Sequence, residues 1–241
     1  MASNVTAYVG CDCFDIILYL SRILQKLGRK VLIADYNLNS ALTYSIPRVG
    51  GIDAYRDINT YMNIDFTRKN ISRRLISQYD DVLIDCGFSE PVFDINMISN
   101  LVYATDMYGF NLKKLRCLSY YDRIPAIKEL LIREATDIGM SVEEILSIIK
   151  KDIDKVRVLN YDEGDYQNSL MCHYNQMVRF VGISSNFKKY LLDELEDMVG
   201  EIPYRRLKSA YNRAKRGERR RVLVHEYYPV LVTFPWARAN K

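Results

Sequence analysis

The chain has 241 residues, 49% hydrophobic and 27% charged, with a formal net charge of +4. That length accommodates one large α/β domain or two small ones, and the balance excludes a disordered chain. No apolar run of about 18 residues and no leader-like segment is present, so a cytoplasmic protein without a transmembrane segment is expected, touching membranes only indirectly.

The five cysteines (Cys11, Cys13, Cys86, Cys117 and Cys172) are odd in number and lack paired metal spacing, and the histidines are only two, His173 and His225. Buried free thiols are expected rather than a zinc centre, and no metal site is assigned.

In chain order, Val5 to Val9 predicts a strand that turns at Gly10. Ile16, Ile17, Leu20, Ile23, Leu24 and Leu27 then recur at helical spacing, with Gly28 at the C-terminal cap position. Lys30 to Asp35 (KVLIAD) is a short continuous apolar run, as a strand buried on both faces requires. Helical features from Ser72 to Tyr79 lead into a second such run, Asp81 to Gly87, and Asn100 to Asp106 and Lys155 to Asp162 supply two more. Ser141 with Glu144 has the capping-box form that opens a helix. Phe187 to Gly200 is an amphipathic helix with a glycine stop; Glu201 to Tyr204 predicts a short strand before another helix, and Val222 to Phe234 one or two antiparallel terminal strands. Strands alternating with helices predict a doubly wound, mostly parallel α/β sheet with helices on both faces. With no linker, repeat or low-complexity tract, residues 1–241 read as a single domain.

Taken in order, several of these segments resemble the ParA/MinD family of P-loop ATPases, including its pilus-assembly relatives of the TadZ/CpaE type. LGRKVLIADYN is similar to the strand that ends in Asp-x-Asp, with Asp35 first and Asn37 replacing the second acid. YDDVLIDCG resembles the Walker B strand and puts Asp85 at the magnesium-associated aspartate. VRVLNYD resembles the strand whose asparagine contacts adenine, here Asn160, and GEIPYRRLKSAYNRAKRG resembles a later segment with Arg205 in place of an acid. The likeness covers roughly the first 106 residues and Lys155 to Gly217; residues from Leu112 to Asp154 match nothing in it.

The first motif departs from that pattern. The resemblance places Cys13 where the family has its main catalytic lysine, Phe14 at its magnesium-binding hydroxyl and Tyr8 near its additional lysine, and only Gly10 survives of the glycine-lysine loop. Phosphate binding by such a loop needs small residues, a lysine and a hydroxyl. Here Cys11, Asp12 and Asp15 surround the site instead. A carboxylate about 4 Å from a phosphate oxygen costs roughly 4 kcal/mol at an effective dielectric near 20. Asp12 stands where an N-cap belongs and Asp15 follows three residues later, so both are expected to satisfy a helix start that phosphate satisfies in the family.

Gly10, Cys11, Asp12, Cys13, Phe14, Asp15, Asp35, Asp85 and Asn160 are therefore read as a vestigial nucleotide site without catalytic residues or cofactor, in a scaffold that positions or regulates a larger assembly. Two other readings stay open. One is a functional ATPase with a divergent loop, using ATP and magnesium, with Asp12, Asp35 and Asp85 converging on a cation. The other is a nonspecific DNA-binding module, because Arg205, Arg206, Lys208, Arg213, Lys215, Arg216, Arg219, Arg220 and Arg221 face only Glu218 as an opposing charge. The same patch suits an acidic protein partner, and the resemblance implies a homodimer.

Overall fold

The computed structural model describes residues 3–46, 58–137, 140–200 and 202–219. β1 (Asn4–Gly10) sends Val5, Ala7 and Val9 to one buried face and Tyr8 to the other. α1 (Phe14–Lys26) follows with Ile16, Ile17, Leu20, Ile23 and Leu24 fully buried, and after it the Gly28 and Arg29 N–H groups return to the carbonyls of Gln25 and Leu24. β2 (Val31–Asp35) is buried throughout. The single turn α2 (Ala41–Tyr44) precedes a hairpin of β3 (Asn59–Tyr61) and β4 (Ile64–Thr67). Then come α3 (Arg73–Ile76), β5 (Asp81–Gly87), a 3-10 turn at Ile95–Met97, β6 (Asn100–Thr105), α4 (Gly109–Cys117) and a 3-10 turn at Ser119–Tyr121. β7 (Ile127–Ala135), α5 (Val142–Ile149), β8 (Lys155–Asn160), α6 (Glu163–Asn175), α7 (Ser185–Val199) and α8 (Tyr204–Arg219) complete the described chain.

The eight strands form one sheet in the order β3-β4-β2-β5-β1-β6-β7-β8, parallel except for the β3–β4 pair. Apolar layers cover both faces. α1, α7 and α8 pack on one through Ile17, Leu20, Leu191, Leu195 and Leu207, and α4 and α5 on the other through Leu112, Leu115, Ile145 and Ile149. The doubly wound sheet expected from the strand–helix alternation is the sheet observed. Its parallel strands bring the loops after β1, β2, β5 and β6 to one end, where ligands bind in open α/β sheets.

One local expectation changes, and two elements appear that the sequence does not announce. The strand expected at Glu201 to Tyr204 is not formed among the described residues: Ile202 and Pro203 lead straight into α8, and the Pro203 carbonyl accepts the Arg206 N–H at 2.7 Å. Proline has no N–H to give a sheet and suits a helix entrance. The region from Leu112 to Asp154, which matched nothing, holds β7 between β6 and β8. Its sequence, IKELLIREA, is rich in helix formers, and burial of Glu129 to Ile132 between two neighbouring strands overrides that preference. The β3–β4 hairpin turns on Met62 and Asn63, both at positive φ, without the glycine that advertises such a turn. The capping box is present: the Ser141 side chain accepts from Glu144 N–H, and the Glu144 carboxylate from Ser141 N–H. The expected strands from Val222 to Phe234 lie outside the described residues.

Candidate functional site

β1 ends against β6 so closely that only glycine fits. Gly10 has φ +115°, a Cβ there would lie 2.1 Å from the Ala104 carbonyl oxygen, and the Cys11 N–H donates to that oxygen at 2.9 Å. Three residues, Cys11, Asp12 and Cys13, then carry the chain into α1. Cys13 is fully buried and is the N-cap, without a capping bond from its side chain. Burial pushes the Cys11 thiol up to about 12 and the Cys13 thiol above its ordinary range, so neither offers a thiolate.

The two aspartates of this junction do different things. Asp15 behaves partly as expected: its Oδ1 accepts the Ile16 N–H at 2.9 Å, and so occupies a donor of the helix start. Its Oδ2 pairs with the Arg133 guanidinium at 2.8 Å. Asp12 is not the N-cap. Its carboxylate turns across to the loop after β2, accepting from Asn37 Nδ2 at 2.7 Å and from Asn39 Nδ2 at 3.3 Å. The expected box of two aspartates is therefore replaced by two separate bridges, one to β7 and one to the β2 loop.

Arg133 is the residue that sequence reasoning missed. It comes from β7, where the register slips between Ile132 and Ala135 and Glu134 takes a positive φ of 54°. Such a bulge re-aims a side chain, and here the guanidinium meets both Asp15 and the Asp12 carbonyl oxygen. The side chains of Arg133 and Asp15 are 16% and 3% exposed, so the pair lies out of bulk water. Burial lowers the arginine's affinity for its proton, but the groups around it, Asp15 foremost, raise it overall, leaving a permanent cation beside the junction.

Asn37 forms a hub on the other side. Its amide donates to Asp12 and, at 3.3 and 3.4 Å, to both oxygens of Asp85, while its Oδ1 accepts the Asn39 N–H. A Cβ on Gly87 would lie 2.5 Å from that Oδ1, so glycine is required where β5 passes the amide. Burial, then repulsion by Asp35, raises the Asp85 carboxyl to about 7, against the pull of the Asn37 amide; Asp12 adds to the rise and the Gly87 N–H opposes it. Asp35 pins α2, accepting the Thr43 N–H at 3.0 Å and hydroxyl at 2.5 Å, while its Oδ1 is buried without a partner. Asp12, Asp35 and Asp85 do not gather as ligands. Among the described residues, the acids close enough to share one ion are Glu129, Glu194 and Asp197.

Asn160 is exposed at the end of β8 and lines, with Asp15, Arg133 and Asp165, a cavity of about 40 Å³. The turn beyond it is held by Tyr161 N–H on the Ala135 carbonyl and by Asp162, which caps α6. In α8, Leu207, Ala210, Tyr211 and Ala214 are buried; Arg205, Arg206, Lys208, Arg213 and Arg216 are exposed and Lys215 is half-buried. Arg213 is engaged, donating to the Lys26 carbonyl at the end of α1. Arg219 ends the helix, and Arg220 and Arg221 lie outside the described residues.

No protein-family model and no curated protein matches the chain. Solved structures do. A ParA family ATPase from Chlorobium tepidum aligns with TM-score 0.58 and 17% identity over 80% of this chain and 98% of that one. MinD in the MinC:MinD cell division complex of Aquifex aeolicus aligns with TM-score 0.60 and 12% identity over 83% and 98%. Apo McdA from Cyanothece aligns with TM-score 0.53 and 12% identity over 86% and 99%. Identities this low speak for architecture alone, and with near-complete coverage of those structures the chain has the ParA/MinD-type P-loop ATPase fold.

Proposed function

We propose that this chain is a ParA/MinD-like protein that does not turn over ATP and acts through protein contacts, positioning or regulating a larger assembly. The observation that carries the reading is the internal ion pair of Arg133 and Asp15 at the β1–α1 junction. A carboxylate of the chain takes the helix-start N–H of Ile16, and an arginine of the chain neutralises that carboxylate. Both halves of the electrostatics that a nucleotide phosphate and a lysine would share are supplied from within.

Magnesium-ATP fits these residues poorly. The junction has no lysine and no hydroxyl, four carboxylates (Asp12, Asp15, Asp35 and Asp85) stand against one committed guanidinium, and the Asn37 amide already bridges Asp12 and Asp85. The cavity beside Arg133, about 40 Å³, falls far below the roughly 300 Å³ at which small-molecule sites begin.

Support for protein contacts lies at the same end of the sheet. Leu38 follows β2, Val92 follows β5, and Tyr108 and Phe110 follow β6, with exposures of 86, 56, 63 and 58%. Large apolar side chains exposed around one end of a fold mark an interaction surface. The MinD neighbour was solved with a protein partner, MinC, which is a precedent for this architecture. A steady-state phosphate-release assay tests the enzymatic half: no turnover above background is expected, and turnover abolished by Asp85→Asn would overturn it. For the other half, a pull-down should capture a partner that is lost with Leu38→Ser and Phe110→Ser.

The exposed arginines and lysine of α8 favour one second reading, nonspecific DNA binding. They form a solvent-facing basic stripe on a helix whose opposite face is buried against α1 and α7.

A further inference from the structure

Away from the β1–α1 junction, a second polar group is built into the sheet where β7 and β8 meet α7. Glu129 on β7 and Glu194 on α7 are 6% and 3% exposed, and Asp197 lies one helical turn beyond Glu194 at the surface. One carboxylate oxygen from each lies within 4.8 Å of the others. Arg157 reaches in from β8, donating from Nε to Glu129 Oε2 at 3.0 Å and to Asp197 Oδ2 at 2.5 Å, and Lys155 also bonds Asp197.

These ion pairs leave the group incomplete. Glu129 Oε1 is buried with no hydrogen-bond partner, although its companion oxygen holds Arg157. Independently, the Tyr190 hydroxyl is buried without a partner on a residue only 4% exposed. Its ring lies against the Arg157 guanidinium, 5.5 Å from the ring centre, which sets it beside the same group. Orphaned buried polar atoms are costly to leave unsatisfied, and two of them in one group call for a ligand.

We propose that Glu129, Glu194 and Asp197 bind a single hard divalent cation, of the magnesium, calcium or manganese class. All-oxygen carboxylate donors without histidine or thiolate select that class. Glu129 ligates through Oε1 and Asp197 through Oδ1, while their other oxygens stay on Arg157, which orients them as outer partners orient metal ligands. A solvent-open hollow of about 430 Å³, lined by Arg157, Tyr190, Asp193 and Asp197, borders the group on its Asp197 side and leaves room for water ligands there. Tyr190 would hydrogen-bond such a water. Glu129 stands four residues before Arg133 on β7, about 13 Å along the strand, so this ion is separate from the phosphate end of the fold and clamps α7 onto the sheet.

The test is calorimetric titration of the full chain, freed of metal with EDTA and dialysed at pH 8, with manganese, calcium and magnesium chloride in turn. One saturable site of roughly millimolar or tighter affinity is expected for at least one ion. Asp197→Asn should weaken it about tenfold or more and Glu194→Gln should abolish it, while Asp85→Asn at the other end leaves it unchanged. Asp197 is half-exposed, so its variant keeps the test decisive if a buried substitution fails to fold. Absence of saturable binding for all three ions, binding undiminished in Asp197→Asn, or binding lost in Asp85→Asn instead would each overturn the proposal.

Discussion

Arg133→Met keeps most of the aliphatic stem and removes the guanidinium, so it isolates what that charge does at the β1–α1 junction. The partner Asp15 is 3% exposed and 2.8 Å away, and among the described residues it has no other ion-pair partner. Breaking a buried pair from one side costs about 3–5 kcal/mol, because the remaining charge is left uncompensated. The Asp12 carbonyl loses its hydrogen bond as well, adding about 1 kcal/mol. Asp15→Asn removes the stranded charge, so in the double variant most of the loss should return, giving a coupling energy of about 2–3 kcal/mol. Denaturant unfolding of the four proteins at pH 7, followed by circular dichroism, measures it. An Arg133→Met cost below about 1 kcal/mol, with coupling near zero, would mean that the pair does not hold the junction together.

Asp85 carries the pH dependence of the site. Its folded-state value, about 7, lies above the ordinary 3.8, so the native state retains a proton that the unfolded chain gives up. The stabilisation is full below about 3.8 and is lost as pH rises through 7, with an upper limit of roughly 4 kcal/mol. Asp85→Asn should flatten the fall in stability between pH 5 and pH 8 and stabilise the protein at pH 8; a steeper fall would contradict this. In a gel shift with random duplex DNA, no retention is expected at physiological salt. Retention that weakens steeply with salt and disappears with Arg205→Ala and Arg206→Ala would favour the DNA-binding reading instead. Light scattering should give the same mass with and without ATP, and ATP-triggered dimerisation would count against a filled site.

Local chemistry made the strands β1, β2, β5 and β6 legible, because buried parallel strands are short apolar runs and Gly10 and Gly28 mark their turns. Asp12, Asp35 and Asp85 could be placed at one end of the sheet for the same reason. Arg133 could not, since its role depends on β7, whose glutamates, leucines and arginine suit a helix until neighbours on both sides claim them. Its aim depends further on a bulge at Glu134 that no residue type announces. Asp12 shows the opposite limit. Its position is that of a cap, yet two asparagines more than 20 residues away outcompete the local N–H groups. Pro203, set in an apparently extended segment, carried a signal for a helix entrance that its neighbours masked.

Calorimetry of the wild-type chain with magnesium-ATP and with magnesium-ADP bears most directly on whether Arg133 and Asp15 stand in for the nucleotide. A filled junction gives no binding heat at micromolar nucleotide. Micromolar affinity for either compound would show that the junction opens to phosphate, and the pseudo-ATPase assignment would fall with it.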